Sequence, residues 1–303
     1  MKGEQPVNME RIFELTETVE KAGLDSVWVG DSLVAKPRME PLSVLGALAA
    51  RTTRVRLGTA VLLPALRHPV LLAQTLNTVD LISGGRLVIG AGVGGVFNDD
   101  QKREWAAAGV ASKGRGRRFE EIIEIVQGLG LGKPFDFHGR NFNLDSPLMR
   151  PVPANDEGIP FLLATHYRAK SQAQIRRAAR LGAGIISISD TPDEYAQVIQ
   201  KVNETASELG RDPSSMEKAF HITVNMDFDL KKAEADAVEW LTGYYGSDIW
   251  GTRWGPFGGP ERVADRIAEY VKAGVGTVVV RFASFHPEEQ LEIFLEQVAP
   301  AYA

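Results

Sequence analysis

Residues 53–95 decide the fold class, and they read TRVRLGTAVLLPALRHPVLLAQTLNTVDLISGGRLVIGAGVGG. Two short apolar runs, at residues 55–63 and 86–91, are rich in β-branched residues and too short to cross a membrane, as expected of buried strands. The segment between them has apolar residues at helical spacing and ends in Ser-Gly-Gly at residues 83–85. The stretch therefore predicts a strand, a crossover helix and a second, parallel strand.

A run of glycines follows the second strand. Gly90, Gly92, Gly94 and Gly95 remove side chains from the carboxyl end of the sheet, where backbone can approach a flat or phosphorylated ligand closely. A dinucleotide fingerprint needs its glycines in a turn that opens a helix, with an acidic residue further on. The next helical pattern begins near Arg115, so we expect no fingerprint of that type.

Helix-to-strand junctions of one length recur along the chain. Lys-Ala-Gly at residues 21–23 precedes a strand at 26–29, the same tripeptide at 272–274 precedes a strand at 277–280, and a third junction lies within 180–188. Such repetition predicts a closed ring of βα units, a (β/α)8 TIM barrel. Glycine also ends the αβ loops of doubly wound sheets, which remain the alternative.

Seven strands can be placed in the sequence, whereas eight close such a barrel. They lie at residues 26–29, 55–62, 86–91, 160–164, 184–189, 220–226 and 277–282. Two insertions interrupt the pattern: an irregular excursion or hairpin at 135–155 and a long loop at 243–259. Long ordered loops at the carboxyl face often form lids or substrate walls.

Composition narrows the class of protein. With 303 residues and 44% hydrophobic content, the chain can bury a large core, and we expect one domain over residues 1–303. The net charge of −5 gives no reason to expect a nucleic acid partner. The absence of cysteine excludes disulfides and thiolate metal sites, and it fits a cytoplasmic protein. We expect no export signal, membrane span or metal centre.

The stretch at 53–95 resembles the signature segment of the luciferase-like flavin- and deazaflavin-dependent oxidoreductases. A GTAV-type strand end, an RHP-type turn, a TLD-type helix end, an SGGR turn and a G-x-G-type strand end follow in that order. The resemblance implies a luciferase-like TIM barrel with a strand before the opening helix. Only residues 1–8, with Pro6 among them, precede that helix here, so we expect the first strand to be missing or replaced.

The resemblance also implies a cofactor, either reduced FMN or its 8-hydroxy-5-deazaflavin analogue, at the carboxyl ends of the strands. It places a backbone bulge at Ala60 and Val61, often with a non-proline cis peptide, against the flavin ring. It implies a phosphate contact at Thr165, His166 and Ser171. The segment 165–171 independently offers hydroxyl, imidazole and cationic groups before a helix, which suit a phosphate.

Further candidates come from position alone, because barrel enzymes place functional groups after strand ends. Cofactor-binding candidates of this kind are Gly92, Gly94, Gly95 and Asn98. The turn at 258–260 is a second anion candidate, although Pro260 is explained as the first residue of a helix. Other side chains that follow strand ends include Ser187, Ser189, Asp190, Asn225, Asp227 and Arg281.

Three residues are candidates for catalysis: Asp31, Ser32 and His166. Asp31 follows a strand and could orient a substrate or accept a proton. In many relatives the next position is a catalytic histidine, which is Ser32 here, and sugar-phosphate dehydrogenases of the deazaflavin branch have a catalytic glutamate where this chain has Gly95. Each loss typically costs about 10²- to 10⁴-fold in rate, which argues against a glucose-phosphate reaction. His166 is the best-placed remaining imidazole.

The resemblance therefore implies a flavin-dependent oxidoreductase, first of all a luciferase-like monooxygenase that uses reduced FMN on a small organic substrate. A deazaflavin-dependent hydride-transfer enzyme and a flavin-binding protein without turnover are the alternatives. By resemblance we also expect a flavin reductase partner and a homodimer. The sequence does not identify the substrate.

Overall fold

The computed structural model of the protein describes residues 8–246, 251–253 and 255–302. The chain forms two compact units. The first consists of residues 10–164 and 177–184, and the second mainly of residues 165–176 and 185–302. A single domain over the whole chain stays a prediction.

The first unit is a parallel sheet with helices between its strands. Its elements are α1 (Met9–Lys21), β1 (Ser26–Val29), α2 (Pro41–Arg51), β2 (Arg56–Leu62), α3 (Pro69–Ser83), β3 (Leu87–Ala91), α4 (Asp99–Ala107), α5 (Arg115–Gly130), β4 (Phe137–His138), β5 (Asn143–Leu144) and β6 (Phe161–Ala164). The sheet has the order β1-β2-β3-β6, with Ser26 opposite Arg56, Leu57 opposite Leu87 and Ile89 opposite Phe161.

The second unit is also α/β. The remaining elements are α6 (Gln172–Leu181), β7 (Gly184–Ile188), α7 (Pro192–Glu208), β8 (Glu217–Met226), α8 (Leu230–Tyr245), β9 (Phe257–Gly258), α9 (Pro260–Lys272), β10 (Thr277–Phe282) and α10 (Pro287–Gln297). The strands follow the order β7-β8-β10, and β9 pairs with the end of β8. All seven strands predicted from the sequence are therefore present, with small shifts at their ends.

The β2-α3-β3 segment forms as the apolar pattern predicts. Pro69 starts α3, where its missing N–H costs nothing, and Gly84 ends the helix in the left-handed conformation with φ 69°. Leu72 and Leu76 are buried on the inner face of the helix, and β3 is buried along its whole length. Apolar burial of this kind contributes about 25 cal/mol per Å², so it holds the unit together.

The prediction that the next helix after the glycine run begins near Arg115 is wrong, because α4 begins at Asp99. Asn98 caps this helix through its side-chain oxygen, which accepts the N–H of Gln101 at 2.9 Å. Only Glu104 and Trp105 of α4 are buried, so the helix shows no apolar period in the sequence.

The insertion at 135–155 contains an antiparallel hairpin, as predicted, in which β4 pairs with β5. In the stretch 243–259, α8 extends to Tyr245 and β9 adds to β8, while residues 247–250 and 254 lie outside the described residues. The expected loss of the first strand concerns residues 1–7, which also lie outside them. No helix in the described ranges is long and apolar enough to span a membrane.

Arg86 joins the C-terminal ends of α2 and α3 to the sheet. Its Nη1 donates to the Thr52 hydroxyl at 2.9 Å and to the Val55 carbonyl at 2.8 Å, and its Nη2 donates to the carbonyls of Ala49 and Thr52. Its Nε donates to the Ser83 carbonyl at 2.6 Å. One guanidinium therefore satisfies carbonyl groups that helix ends leave without partners.

We expect Arg86→Met to lower the free energy of unfolding by about 2 to 4 kcal/mol, because several carbonyl oxygens lose their donor. Urea denaturation followed by circular dichroism measures this change. Arg103→Met is the control, since that side chain is 70% exposed. Equal losses in the two variants would contradict the role given to Arg86.

Candidate functional site

Asp31 follows β1 and is held by Arg67. Arg67 Nη1 lies 2.5 Å from Asp31 Oδ2, and Nη2 lies 3.1 Å from Oδ1. Oδ2 also accepts the Leu63 N–H at 2.8 Å, and Arg67 reaches Glu40 at 3.1 Å. Burial lowers the pKa of Arg67, but the hydrogen bonds and charges of Asp31 and Glu40 raise it by more, and the net pKa is raised. The guanidinium therefore stays charged. The contacts join the loop after β1 to the loop after β2, and a catalytic role for Asp31 stays a prediction.

Ser32 is tied to Glu104 of α4. Glu104 is 4% exposed, and its Oε1 accepts the Ser32 hydroxyl at 2.7 Å and the N–H groups of Leu33, Val34 and Ala35 at 2.6, 3.1 and 3.2 Å. Burial raises the pKa of Glu104, but these hydrogen bonds lower it, and the net pKa is lowered. The carboxylate thus shapes the loop that carries Ser32, whose catalytic role stays a prediction.

Ala60 and Val61 lie in an irregular part of β2. The register with β3 shifts between Thr59 and Leu62, as a bulge requires. The peptide bond between Ala60 and Val61 is cis, which is the geometry that the resemblance implied. The Thr59 hydroxyl donates to the Gly90 carbonyl at 2.8 Å and links the two strands beside the bulge. Contact of this bulge with a flavin ring stays a prediction.

The glycines after β3 make room for the chain's own side chains. A Cβ on Gly92 would lie 2.8 Å from Val61 Cγ2, and one on Gly94, where φ is 85°, would lie 2.9 Å from Trp105 Cζ2. Real Cβ atoms essentially never come so close, and Val61 and Trp105 are packed against these positions. Glycine at both places is therefore explained by packing, and a cofactor contact there stays a prediction.

Gly95 differs from those two glycines. A Cβ there would meet the ends of Phe97 and Gln101 at 2.8 and 2.9 Å. Phe97 is 89% exposed, so its ring can move without disturbing the core. Core packing therefore does not require glycine at Gly95, and a cofactor contact there stays a prediction. Asn98, the other candidate here, uses its side-chain oxygen to cap α4.

His166 follows β6 in the chain and is linked through Ser187 to Asp190, near the end of β7. His166 Nδ1 lies 2.9 Å from Ser187 Oγ, which donates to Asp190 Oδ2 at 2.6 Å. Oδ2 also accepts the Tyr167 N–H at 3.1 Å. Burial lowers the pKa of His166, the Asp190 charge raises it, and the net pKa is lowered. The structure thus brings together three residues that the sequence analysis had singled out separately.

The other phosphate candidates on this loop differ in exposure. Thr165 is fully buried, and its N–H donates to the Ile186 carbonyl at 3.0 Å. Ser171 is partly exposed just before α6, after Lys170 in the left-handed conformation. Ser171 therefore fits an anionic group better than the Thr165 side chain does, and the phosphate contacts of Thr165, His166 and Ser171 stay predictions.

The second anion candidate, at 258–260, is explained by local structure. Gly258 has φ 127°, which disfavours any side chain, and Pro260 is buried in the first turn of α9. Among the described residues, no group of three histidine, aspartate or glutamate side chains could hold a metal ion.

Sequence reasoning missed Arg67 and Glu104. Arg67 lies in the RHP turn of the signature segment, which was a usable signal. Glu104 lies among charged residues in α4, and nothing in its neighbours marks it as buried.

Comparison with known proteins decides the family. The sequence model of the luciferase-like monooxygenase family matches residues 1–255 of this chain. The chain belongs to that family. The prediction of an α/β protein with the luciferase-like TIM-barrel fold is confirmed by this match and by the solved structures described next.

Members of the family that resemble this chain differ in activity. The F420-dependent glucose-6-phosphate dehydrogenase of Nocardia farcinica is 26% identical over 95% of this chain and 93% of its own length. A monooxygenase from Streptomyces bottropensis has a TM-score of 0.83 at 25% identity and covers 97% of this chain and 94% of its own. An F420-dependent secondary alcohol dehydrogenase has a TM-score of 0.82 at 23% identity, covering 98% and 96%. The proteins that this chain resembles therefore include F420-dependent dehydrogenases and a monooxygenase.

We expect Glu104→Gln to lower the free energy of unfolding by about 1 to 3 kcal/mol at pH 7, because a neutral amide replaces a buried carboxylate that accepts several donors. The folded-state pKa of Glu104 lies below the unfolded value of 4.5, so its contribution is complete above pH 4.5 and is lost as the pH falls through the folded value. Urea denaturation at pH 7 and below pH 4.5 measures both effects.

Asp100→Asn on the same helix is the control, because that side chain is 55% exposed. A stability difference between Glu104→Gln and the unmodified protein that stayed constant or grew with falling pH would contradict the assigned pKa direction.

Proposed function

We propose that the protein is a deazaflavin-dependent oxidoreductase, which transfers a hydride between a small organic substrate and coenzyme F420. The observation that carries the proposal is His166, whose Nδ1 lies 2.9 Å from the Ser187 hydroxyl and whose pKa is lowered by burial. Such a group is neutral near pH 7 and can accept a proton, which oxidation of an alcohol by hydride transfer requires.

The relatives support the same choice of cofactor. A curated enzyme similar over 95% of this chain depends on F420, and so does a dehydrogenase with the same fold. The proposal does not extend to glucose 6-phosphate as the substrate, because Ser32 and Gly95 stand where enzymes of that type have a catalytic histidine and glutamate.

In this proposal, some residues of the chain bind the cofactor and His166 transfers the proton. Ser171 would bind the cofactor through its hydroxyl. Within the first unit, Asp31 and Glu104 hold the backbone that follows β1. A bound deazaflavin supplies the hydride acceptor or donor. His166 would take up or return the proton of the substrate.

A monooxygenase that uses reduced FMN is the second candidate. The specific observation in its favour is the fold of the Streptomyces bottropensis monooxygenase, which matches this chain with a TM-score of 0.83. The two candidates differ in cofactor, so binding measurements separate them.

We expect F420 to bind at least about ten-fold more tightly than FMN, a difference of about 1.4 kcal/mol. Fluorescence titration of the purified protein with each cofactor, in the oxidised and the reduced form, measures the two dissociation constants. Tight binding of reduced FMN with no binding of F420 would overturn the proposal and favour the monooxygenase.

We further expect Ser171→Ala to weaken F420 binding by about three- to ten-fold, because one hydrogen bond to an anionic group is lost. Ser215→Ala is the matched control, since Ser215 is exposed and its hydroxyl bonds the Asp212 carbonyl. Equal dissociation constants in Ser171→Ala and the control would remove Ser171 from the cofactor site.

A further inference from the structure

The hydrogen-bonded chain from Asp190 through Ser187 to His166 is built from buried groups. Ser187 and Asp190 are each 1% exposed. The surrounding backbone fixes their positions: the Tyr270 hydroxyl donates to the Asp190 carbonyl at 2.7 Å, and Gln174 Nε2 donates to the His166 carbonyl at 2.8 Å. The three side chains are therefore held in one arrangement before any ligand binds.

The protons available in the hydrogen bonds between Asp190, Ser187 and His166 fix the tautomer of His166. A carboxylate only accepts hydrogen bonds, so the 2.6 Å contact uses the single hydroxyl proton of Ser187. The Ser187 oxygen can then only accept at its 2.9 Å contact with His166, and Nδ1 must carry the proton. In the neutral ring, Nε2 is then left with a free lone pair.

No hydrogen-bond donor among the described residues occupies that lone pair. Within the described ranges, the His166 ring contacts no hydrogen-bond partner other than Ser187, and the residue is partly exposed. Asp190 Oδ1, in contrast, is buried with no hydrogen-bond partner in the same ranges. Leaving a buried carboxylate oxygen unsatisfied is costly, so this carboxylate is placed for a purpose beyond packing.

We propose that Ser187 and Asp190 are positioning residues that hold His166 in the Nδ1–H tautomer, so that Nε2 accepts the hydroxyl proton of an alcohol substrate. This inference rests on the proposed function, because it assigns the base and the substrate class to the same hydride transfer. The lowered pKa of His166, caused by burial, keeps Nε2 free of a proton near neutral pH.

The step balances in atoms and electrons. The substrate O–H bond breaks, its proton moves to His166 Nε2, and its electron pair becomes the second bond of the product carbonyl. The carbinol carbon is oxidised as its hydrogen leaves with two electrons, and an oxidised deazaflavin is the acceptor that is reduced. The Asp190 charge stabilises the imidazolium that forms, acting through the Ser187 hydroxyl.

Nitrogen NMR of the free protein tests the tautomer without cofactor or substrate. In protein labelled with ¹⁵N-histidine at pH 8, we expect the Nδ1 of His166 to have the chemical shift of a protonated nitrogen and its Nε2 that of an unprotonated one. The signals of His166 are assigned by their loss in His166→Gln. The other four histidines act as internal reports of folding.

Ser187→Ala removes the acceptor of the Nδ1 proton, so we expect the Nε2–H tautomer to gain population. Ser171→Ala, on the same loop as His166, is the control and leaves the tautomer unchanged. A protonated Nε2 in the unmodified protein would overturn the inference even if Ser187→Ala fails to fold, and so would an unchanged tautomer in folded Ser187→Ala.

The cofactor titration separates this inference from the function on which it rests. His166→Gln should keep its dissociation constant for F420 within about three-fold, because the base contacts the substrate and not the cofactor. A ten-fold or larger loss would make His166 a cofactor ligand and overturn the assignment. Failure of F420 to bind the unmodified protein, with the expected tautomer present, would overturn only the proposed function.

Discussion

Buried carboxylates need hydrogen-bond donors, and in this protein loops after strands supply them. A carboxylate removed from water without partners is too costly to keep, so each one fixes the groups that surround it. Glu104 gathers three backbone N–H groups and the Ser32 hydroxyl, and Asp31 gathers Arg67 and the Leu63 N–H. The loops therefore have defined shapes although they lack regular secondary structure.

Asp190 applies the same constraint to an imidazole. Its Oδ2 accepts from Ser187 and from the Tyr167 N–H, which places the start of the loop carrying His166. Charge, loop conformation and proton position are thus set by one buried group. In a family whose members use flavin or deazaflavin for the redox chemistry, the protein's own contribution lies in such positioning.

The sequence predicted the strands because β-branched apolar runs and glycine-ended helices have few other interpretations. Helix α3 and strand β3 have such regular apolar patterns, and the structure shows both elements close to their predicted positions. Helix α4 escaped prediction because its stability comes from the Asn98 cap and from two buried residues, Glu104 and Trp105, rather than from an apolar face. A cap and a tertiary contact leave almost no mark in a local pattern.

The sequence predicted where the residues of the candidate site lie, but it did not predict the hydrogen bonds between them. His166, Ser187 and Asp190 were all recognised as residues that follow or end strands, but nothing in their spacing says that one hydroxyl bridges the other two. Arg67 contacts Asp31, which lies 36 positions earlier in the sequence, and Glu104 contacts Ser32, which lies 72 positions earlier. Only the folded chain reveals such distant pairs. The resemblance did supply the irregular backbone at Ala60 and Val61, which periodicity alone could not.

Amide hydrogen exchange tests most directly whether buried carboxylates hold these loops. If Glu104 accepts the N–H groups of Leu33, Val34 and Ala35, these amides should exchange about 100-fold more slowly than unprotected ones, since exchange then requires an opening of about 3 kcal/mol. The account predicts that Glu104→Gln removes most of this protection. Exchange at the rate of a free chain in the unmodified protein would contradict it.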